Sequence, residues 1–302
     1  MTSPLRIGTR GSPLALWQAH HVQGLLRAVT GRPVELGEIE TSGDRVRDAA
    51  LTQIGGDGVF TKEIQRALLA GAVDVAVHSL KDLPTTPVEG LTLAAVPARG
   101  PVGDVFVSRR HARFDELPTG AVVGTSSLRR RAQALHRRPD LRLVNLRGNV
   151  ETRLRKLETE GLDAIILARA GLERLGLAGH VTEVLDPAWM LPAVGQGALG
   201  LECRADDRAT LALLGPLNDL PTRSAVLAER AMLRGLGGGC LVPIGASARV
   251  EGSRLALRAA VLPPDGSRRI AGDLEGPAAE AETLGQRLAE MLLARGAGEI
   301  LR

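Results

Sequence analysis

The chain has 302 residues, room for two or three domains, and 44% of them are hydrophobic, enough for a full core. Aromatic residues make up only 2% and tyrosine is absent, so the core is aliphatic and few ring faces remain for stacking bases. The net charge is +4 from 38 basic residues, of which only Lys62, Lys81 and Lys156 are lysine, so 35 are arginine. Two cysteines, Cys203 and Cys240, with no CxxC pair, argue against a zinc site or a disulfide framework.

Leu5–Thr9 reads as a strand, and Ser12 with Pro13 behind it predicts a helix start. Leu14, Trp17, Val22, Leu25, Leu26 and Val29 share one helical face, which Gly31 ends. Val34–Thr41 is the next predicted strand. Phe60, Ile64, Ala67 and Leu68 mark a helix closed by Gly71, and Asp74–His78 is a short buried strand. This alternation predicts a largely parallel sheet. The pattern repeats after a linker at Ala98–Gly103. Strands are predicted at Ala121–Gly124, Leu141–Asn145 and Asp163–Ala168, and helices at Ser127–Arg138, Asn149–Glu160 and Ala170–Leu175. Leu191–Gly200 reads as a return linker, with Leu199–Cys203 rejoining the first sheet. A helix over Arg223–Leu236, a hairpin of Ile244–Val250 with Leu255–Leu262, and a helix over Ala278–Arg295 form a separate α+β module.

Four predicted strand ends run into polar clusters: Gly8-Thr9-Arg10-Gly11-Ser12, Val77-His78-Ser79-Leu80-Lys81-Asp82, Gly124 to Arg131, and Asn145 to Arg153. Ligands of open α/β sheets bind outside the carboxyl ends of the strands, where helix N-termini expose free N–H groups. Hydroxyls and arginines in those places build an anion site, since the guanidinium fork grips a carboxylate or phosphate through two bonds. For any one cluster, helix capping and solvated arginines are the alternative; four together favour one shared polyanion. Asp82 is either a salt-bridge partner or a group that moves a proton or stabilises a cation on the ligand. Cys240, behind Gly237-Gly238-Gly239, is either a small buried thiol or a nucleophile with cleared space around it. His78 reads as a core or hydrogen-bonding histidine. No set of side chains has metal spacing.

Taken in order, RIGTRGSPLALWQA (6–19), VHSLKDLPT (77–85), GTSSLRRRAQ (124–133), LRGNVETRLRKL (146–157), DAIILARAGLERLG (163–176), LPAVGQGALGLECR (191–204) and GGGCLVPIGA (237–246) resemble the hydroxymethylbilane synthases, or porphobilinogen deaminases, nearly end to end. The resemblance implies an α/β fold of two periplasmic-binding-protein-like domains with mainly parallel sheets, plus a small C-terminal α+β domain. The boundaries would be 1–97 with 198–216, 98–197, and 217–302. It implies a transferase that joins four porphobilinogen molecules head to tail with loss of ammonia and releases the linear tetrapyrrole by hydrolysis. It also implies a dipyrromethane cofactor on Cys240 through a thioether, and Asp82 as the catalytic carboxylate. Arg10, Arg129, Arg130, Arg147 and Arg153 match the family's carboxylate-binding arginines. Ser12, Lys81, Thr125, Ser126 and Ser127 match its hydrogen-bonding positions, and Arg174 a further basic one. The family's loop lysine is replaced here, where the chain reads Gly55-Gly56-Asp57-Gly58.

Two other classes compete. A solute-binding or ligand-sensing protein would need the arginines but neither Cys240 nor Asp82. A nucleic-acid binder fits the isoelectric point of 9.8, but would show a basic stripe rather than arginines mixed with hydroxyls at strand ends. The polar N-terminus MTSPLRIGTRGS gives no signal peptide, and no run of 18 apolar residues crosses a membrane. A cytoplasmic location is therefore expected, and the resemblance implies a monomer that binds porphobilinogen and neither nucleic acid nor membrane.

Overall fold

The computed structural model describes residues 3–45, 58–238 and 242–301. In chain order the first stretch holds β1 (Leu5–Thr9), α1 (Pro13–Thr30), β2 (Val34–Glu38), α2 (Lys62–Leu69), β3 (Val75–Ser79) and β4 (Leu91–Ala95). The second holds β5 (Asp104–Val107), β6 (Val122–Gly124), α3 (Leu128–Arg137), β7 (Arg142–Val144), α4 (Val150–Thr159), β8 (Ala164–Ala168), α5 (Arg169–Arg174) and β9 (Glu183–Val184). After the return come β10 (Leu199–Arg204) and α6 (Arg208–Leu214). Then follow α7 (Leu220–Gly235), β11 (Ile244–Glu251), β12 (Arg254–Val261), β13 (Ile270–Pro277) and α8 (Ala281–Ala294).

The chain divides into two compact units: residues 1–100 with 198–223, and residues 101–197 with 224–302. The first is built on a five-stranded sheet in the order β2-β1-β3-β10-β4. β1 pairs in parallel with β2 and β3, while β10 runs antiparallel to β3 and β4. α1 covers one face through buried Ala19, Val22 and Leu26, which pack with Ile7, Val75 and Leu201. It starts on Ser12, whose hydroxyl accepts the Ala15 N–H, and stops on Gly31, whose φ of 63° is the left-handed conformation glycine tolerates. α2 covers the other face through Ile64 and Leu68, packed on Val73 and Ala76.

The second unit contains two sheets. Its five-stranded sheet has the order β7-β6-β8-β5-β9. β6 is parallel to β7 and β8, and β5 is antiparallel to β8 and β9. The three-stranded antiparallel sheet β11-β12-β13 packs with α7 and α8, where Met232, Leu257, Leu288 and Leu292 are fully or almost fully buried.

The predicted elements are present with ends shifted by a few residues; β2 stops at Glu38, three residues short of Thr41. Both large sheets are more mixed than the βαβ pattern suggests, because β10 and β5 enter them against the parallel strands. β4, β5, β9, β13 and α6 were not legible. β9 has two residues and β5 four, too short for a period, and β13 (IAGDLEGP) breaks its alternation with glycines.

Candidate active site

In the first unit, β1 and β3 are parallel neighbours, so the residues that follow them emerge at one sheet edge. After β1, Arg10 gives Nε and Nη2 to the two carboxylate oxygens of Asp44, and its guanidinium carbon lies 4.1 Å above the Phe60 ring. Burial alone would raise the Asp44 carboxyl, but hydrogen bonds from Arg10 and Thr41 hold it below the ordinary range. Ser12 is occupied as the α1 cap. After β3, Leu80–Asp82 form one 3₁₀ turn, pinned where the Leu80 N–H donates to the Ala198 oxygen at 3.0 Å. Leu80 is buried, whereas Lys81 and Asp82 are half-exposed. The Asp82 carboxylate has no ion pair among the described residues.

The strand beneath that turn is fixed by polar groups. Gln18 of α1 donates to the Ser79 hydroxyl at 2.8 Å. Buried His78 places Nε2 3.2 Å from Glu202 of β10, whose carboxylate also accepts Gln65 of α2 at 3.1 Å on each oxygen. His78 is thus the hydrogen-bonding core residue expected.

In the second unit, β6 lies between parallel β7 and β8, so three strand ends share one edge. After β6, buried Thr125 accepts the Ser127 N–H, Ser126 donates to the Leu146 oxygen at 2.8 Å, and Ser127 caps α3 by accepting the Arg130 N–H. Past β7, Gly148 has φ of 113°, and a Cβ there would stand 2.5 Å from Thr152 Cγ2; only glycine makes that turn. Asn149 caps α4 through the Thr152 N–H. Half-buried Arg147 shows no ion pair among the described residues, and Arg153 donates Nε to the Gly148 oxygen at 2.8 Å. Past β8, Arg174 donates to the Gly197 oxygen at 2.7 Å, and burial lowers its pKa.

Arg129 and Arg130, the first residues inside α3 after Leu128, are not solvated. They are 4% and 5% exposed and both pair with Asp104, which is fully buried. Burial would raise the Asp104 carboxyl, but the charges of Arg129 and Arg130 overcome it and hold it far below the ordinary range. Asp104 opens β5 opposite Ala168 at the end of β8, which puts it on the same edge. Its signal in the sequence is weak, since it directly follows the predicted linker at 98–103 and heads a four-residue strand, DVFV, with a charge.

Cys240 and the Asp57 substitution both lie outside the described residues. The glycines before Cys240 have a clear structural use. The Gly237 N–H donates to the Arg234 oxygen and the Gly238 N–H to the Leu233 oxygen, with φ of 66° at Gly237, which closes α7 as a Schellman motif. A Cβ on Gly238 would come within 2.8 Å of both Leu233 and Ile244, so that glycine is required by close packing rather than by open space. Cys203 is fully buried in β10, and burial pushes its thiol up to about 11.

Comparison with known proteins places the chain. The family model described as porphobilinogen deaminase, dipyromethane cofactor binding domain, matches residues 5–212, and the one described as porphobilinogen deaminase, C-terminal domain, matches residues 224–294. The chain is 52% identical over 301 residues to the porphobilinogen deaminase of Syntrophotalea carbinolica, covering 99% of this chain and 96% of the relative. Among solved structures it is similar to the methionine-binding protein MetQ, with TM-score 0.45 and 15% identity over 70% of this chain and 89% of that one. It is also similar to an arginine-specific periplasmic binding protein of Salmonella typhimurium, with TM-score 0.42 and 16% identity over 74% and 94%.

Proposed function

The chain belongs to the porphobilinogen deaminase family, and we propose that Asp82 is its catalytic carboxylate and Cys240 its point of cofactor attachment. The reaction is the stepwise condensation of four porphobilinogen molecules with loss of ammonia on a dipyrromethane primer, followed by hydrolytic release of hydroxymethylbilane. The enzyme is a transferase of tetrapyrrole synthesis.

The residues fit a carboxylated pyrrole primer. Around Asp104 two buried guanidiniums face one carboxylate, and Arg129 Nε is buried without a hydrogen-bond partner. That arrangement lacks one anion, and pyrrole acetates and propionates supply it. Arg129, Arg130, Arg147, Arg153 and Arg174 would hold ligand carboxylates, with Thr125, Ser126 and Ser127 beside them. Arg10, Ser12 and Lys81 do the same work in the first unit, with Arg10 shared between ligand and Asp44. The cofactor, when bound, supplies the pyrrole carbon to which the first substrate is joined.

Asp82 accepts pyrrole N–H hydrogen bonds and stabilises the positive charge that develops as ammonia leaves. Its half-exposed position on a turn fixed by buried Leu80 suits both tasks. Buried, protonated Cys203 is a poor nucleophile, which leaves attachment to Cys240. The match of GGGCLVPIGA (237–246) to the family, inside the matched C-terminal domain, carries the attachment reading.

We assign the chain three domains, at 1–97 with 198–216, 98–197 and 217–302, working as a cytoplasmic monomer without membrane or nucleic-acid partners. No helix among the described residues is long and apolar enough to cross a membrane. Intact-mass measurement of the purified, active protein tests the attachment. A mass increased by two pyrrole units on the peptide containing Cys240 is expected. A bare mass in active protein, or an adduct on Cys203, overturns it.

A further inference from the structure

The Asp104 carboxylate accepts four N–H bonds inside the second unit. Arg129 Nη1 donates to one oxygen at 2.6 Å. The other oxygen receives Arg130 Nε at 3.0 Å, Arg130 Nη2 at 2.8 Å and Gln196 Nε2 at 3.0 Å. The two guanidiniums are tied further by backbone oxygens. Arg129 Nη1 also donates to Leu191 at 2.6 Å, and Arg130 Nη1 to Ile166 at 3.0 Å. Gln196 reaches the Val102 oxygen at 2.7 Å, so the carboxylate is itself fixed to the segment that enters β5.

A guanidinium has five N–H donors. These contacts hold each head rigidly and still leave N–H groups over, including buried Nε of Arg129. Two adjacent cations would repel each other at this depth; one carboxylate between them removes most of that repulsion and leaves a single positive charge in excess. The anion that completes the balance must come from a ligand. A carboxylate beside these arginines repels the ligand carboxylates they hold unless its own charge is used up, and that of Asp104 is spent on the two guanidiniums between which it lies.

We propose that Asp104, steadied by Gln196, is a positioning residue that presets the Arg129 and Arg130 guanidiniums to take one carboxylate of the pyrrole chain. The assignment rests on the family's reaction and on the arginines as ligand groups. It adds the residue that sets their geometry and the charge ratio that fixes how many carboxylates they take.

The test is Asp104→Asn, which keeps the size and removes the charge, with Gln196→Ala as second variant. Intact mass gives the fraction of folded protein that carries the pyrrole adduct, and steady-state kinetics on porphobilinogen give KM and kcat for that fraction. Misplaced arginines should lower the adduct-bearing fraction, raise KM, or both, with kcat/KM down on the order of 10–100-fold. A merely structural Asp104 would lower the melting temperature and the yield of folded protein while leaving full loading and an unchanged KM, which overturns the proposal. If Asp104→Asn does not fold, Gln196→Ala decides. It spares both ion pairs, so a several-fold rise in KM or partial loading supports the positioning role, and wild-type values for both overturn it. Wild-type protein separates the two levels. If it carries no adduct and does not consume porphobilinogen, the functional reading fails; if it does both, only the variants bear on Asp104.

Discussion

His78 Nε2 lies 3.2 Å from a carboxylate oxygen of Glu202, inside the sheet whose strand β3 runs directly into the turn that carries Lys81 and Asp82. Gln65 completes the cluster by donating to both Glu202 oxygens. All three side chains are buried, so α2, β3 and β10 are bound through groups that have no water to fall back on. Glu202→Leu strips two buried donors of their acceptor and should lower unfolding stability by about 1–3 kcal/mol. Urea denaturation checks this; a midpoint equal to wild type would mean that the cluster contributes nothing.

Asp82 stands on a turn held by backbone bonds and by buried Leu80, not by its own side chain. Asp82→Asn should therefore leave stability within about 0.5 kcal/mol, as for a half-exposed surface change. Turnover should fall by on the order of 10²–10⁴, the scale of a lost charged catalytic group. Porphobilinogen consumption and a melting curve give the two numbers. Near-normal turnover would remove Asp82 from the mechanism.

Arg147 and Arg129 separate binding from folding. Half-buried Arg147 shows no ion pair among the described residues, so Arg147→Leu should cost little stability and appear in KM or in cofactor loading. Arg129→Leu removes a buried cation, yet leaves Asp104 paired one-to-one with Arg130. Its stability cost should therefore stay below the roughly 3–5 kcal/mol typical when a buried pair is broken outright. Thermal unfolding beside intact-mass analysis tests both. Full cofactor loading and wild-type kinetics in both variants would deny them a ligand role.

The two cysteines should behave oppositely. Cys203 sits at zero exposure in β10 with its thiol pushed up to about 11 by burial, so almost none is thiolate at neutral pH. Cys203→Ala should keep the pyrrole adduct and the activity, while Cys240→Ala should lose both. Iodoacetamide should leave Cys203 unmodified in native protein at neutral pH. Mass spectrometry of the two variants decides, and an adduct retained in Cys240→Ala would sink the assignment.

The sequence made the parallel strands and their helices legible because each carries its own local signals. Ser12, Ser127 and Asn149 cap their helices where the sequence predicts a start, and Gly31 stops α1. The strand-end clusters were legible for the same reason. Contacts made across long sequence distances were not. Asp104 meets Arg129 and Gln196 only once β5 has entered the sheet against β8, and Arg10 meets Asp44 only in the folded unit. Arginines read as open ligand groups are thereby partly engaged by the protein's own carboxylates. The glycines before Cys240 suggest in the sequence cleared space around a nucleophile, whereas in the fold Gly237 and Gly238 end α7.

Acid should unfold the protein through those engaged carboxylates. At Asp74, burial raises the pKa but is outweighed by hydrogen bonds and charge from Arg6, with Arg204 adding to them; Asp44 is held low by Arg10 and Thr41, and Asp104 by Arg129 and Arg130. In each case the folded pKa lies below the unfolded value of about 3.9. The unfolded chain then binds more protons, so stability rises with pH across the interval between the two values. The contribution is fully present above about pH 4–5 and is lost as pH falls through the folded values. Melting temperature should be nearly flat from neutral pH to about pH 5 and then drop steadily. Asp74→Asn should be less stable than wild type at neutral pH and lose less on acidification, because the group that titrates is gone. Thermal melts of both proteins across that range test the sign, and equal acid slopes would show that Asp74 is not among the groups responsible.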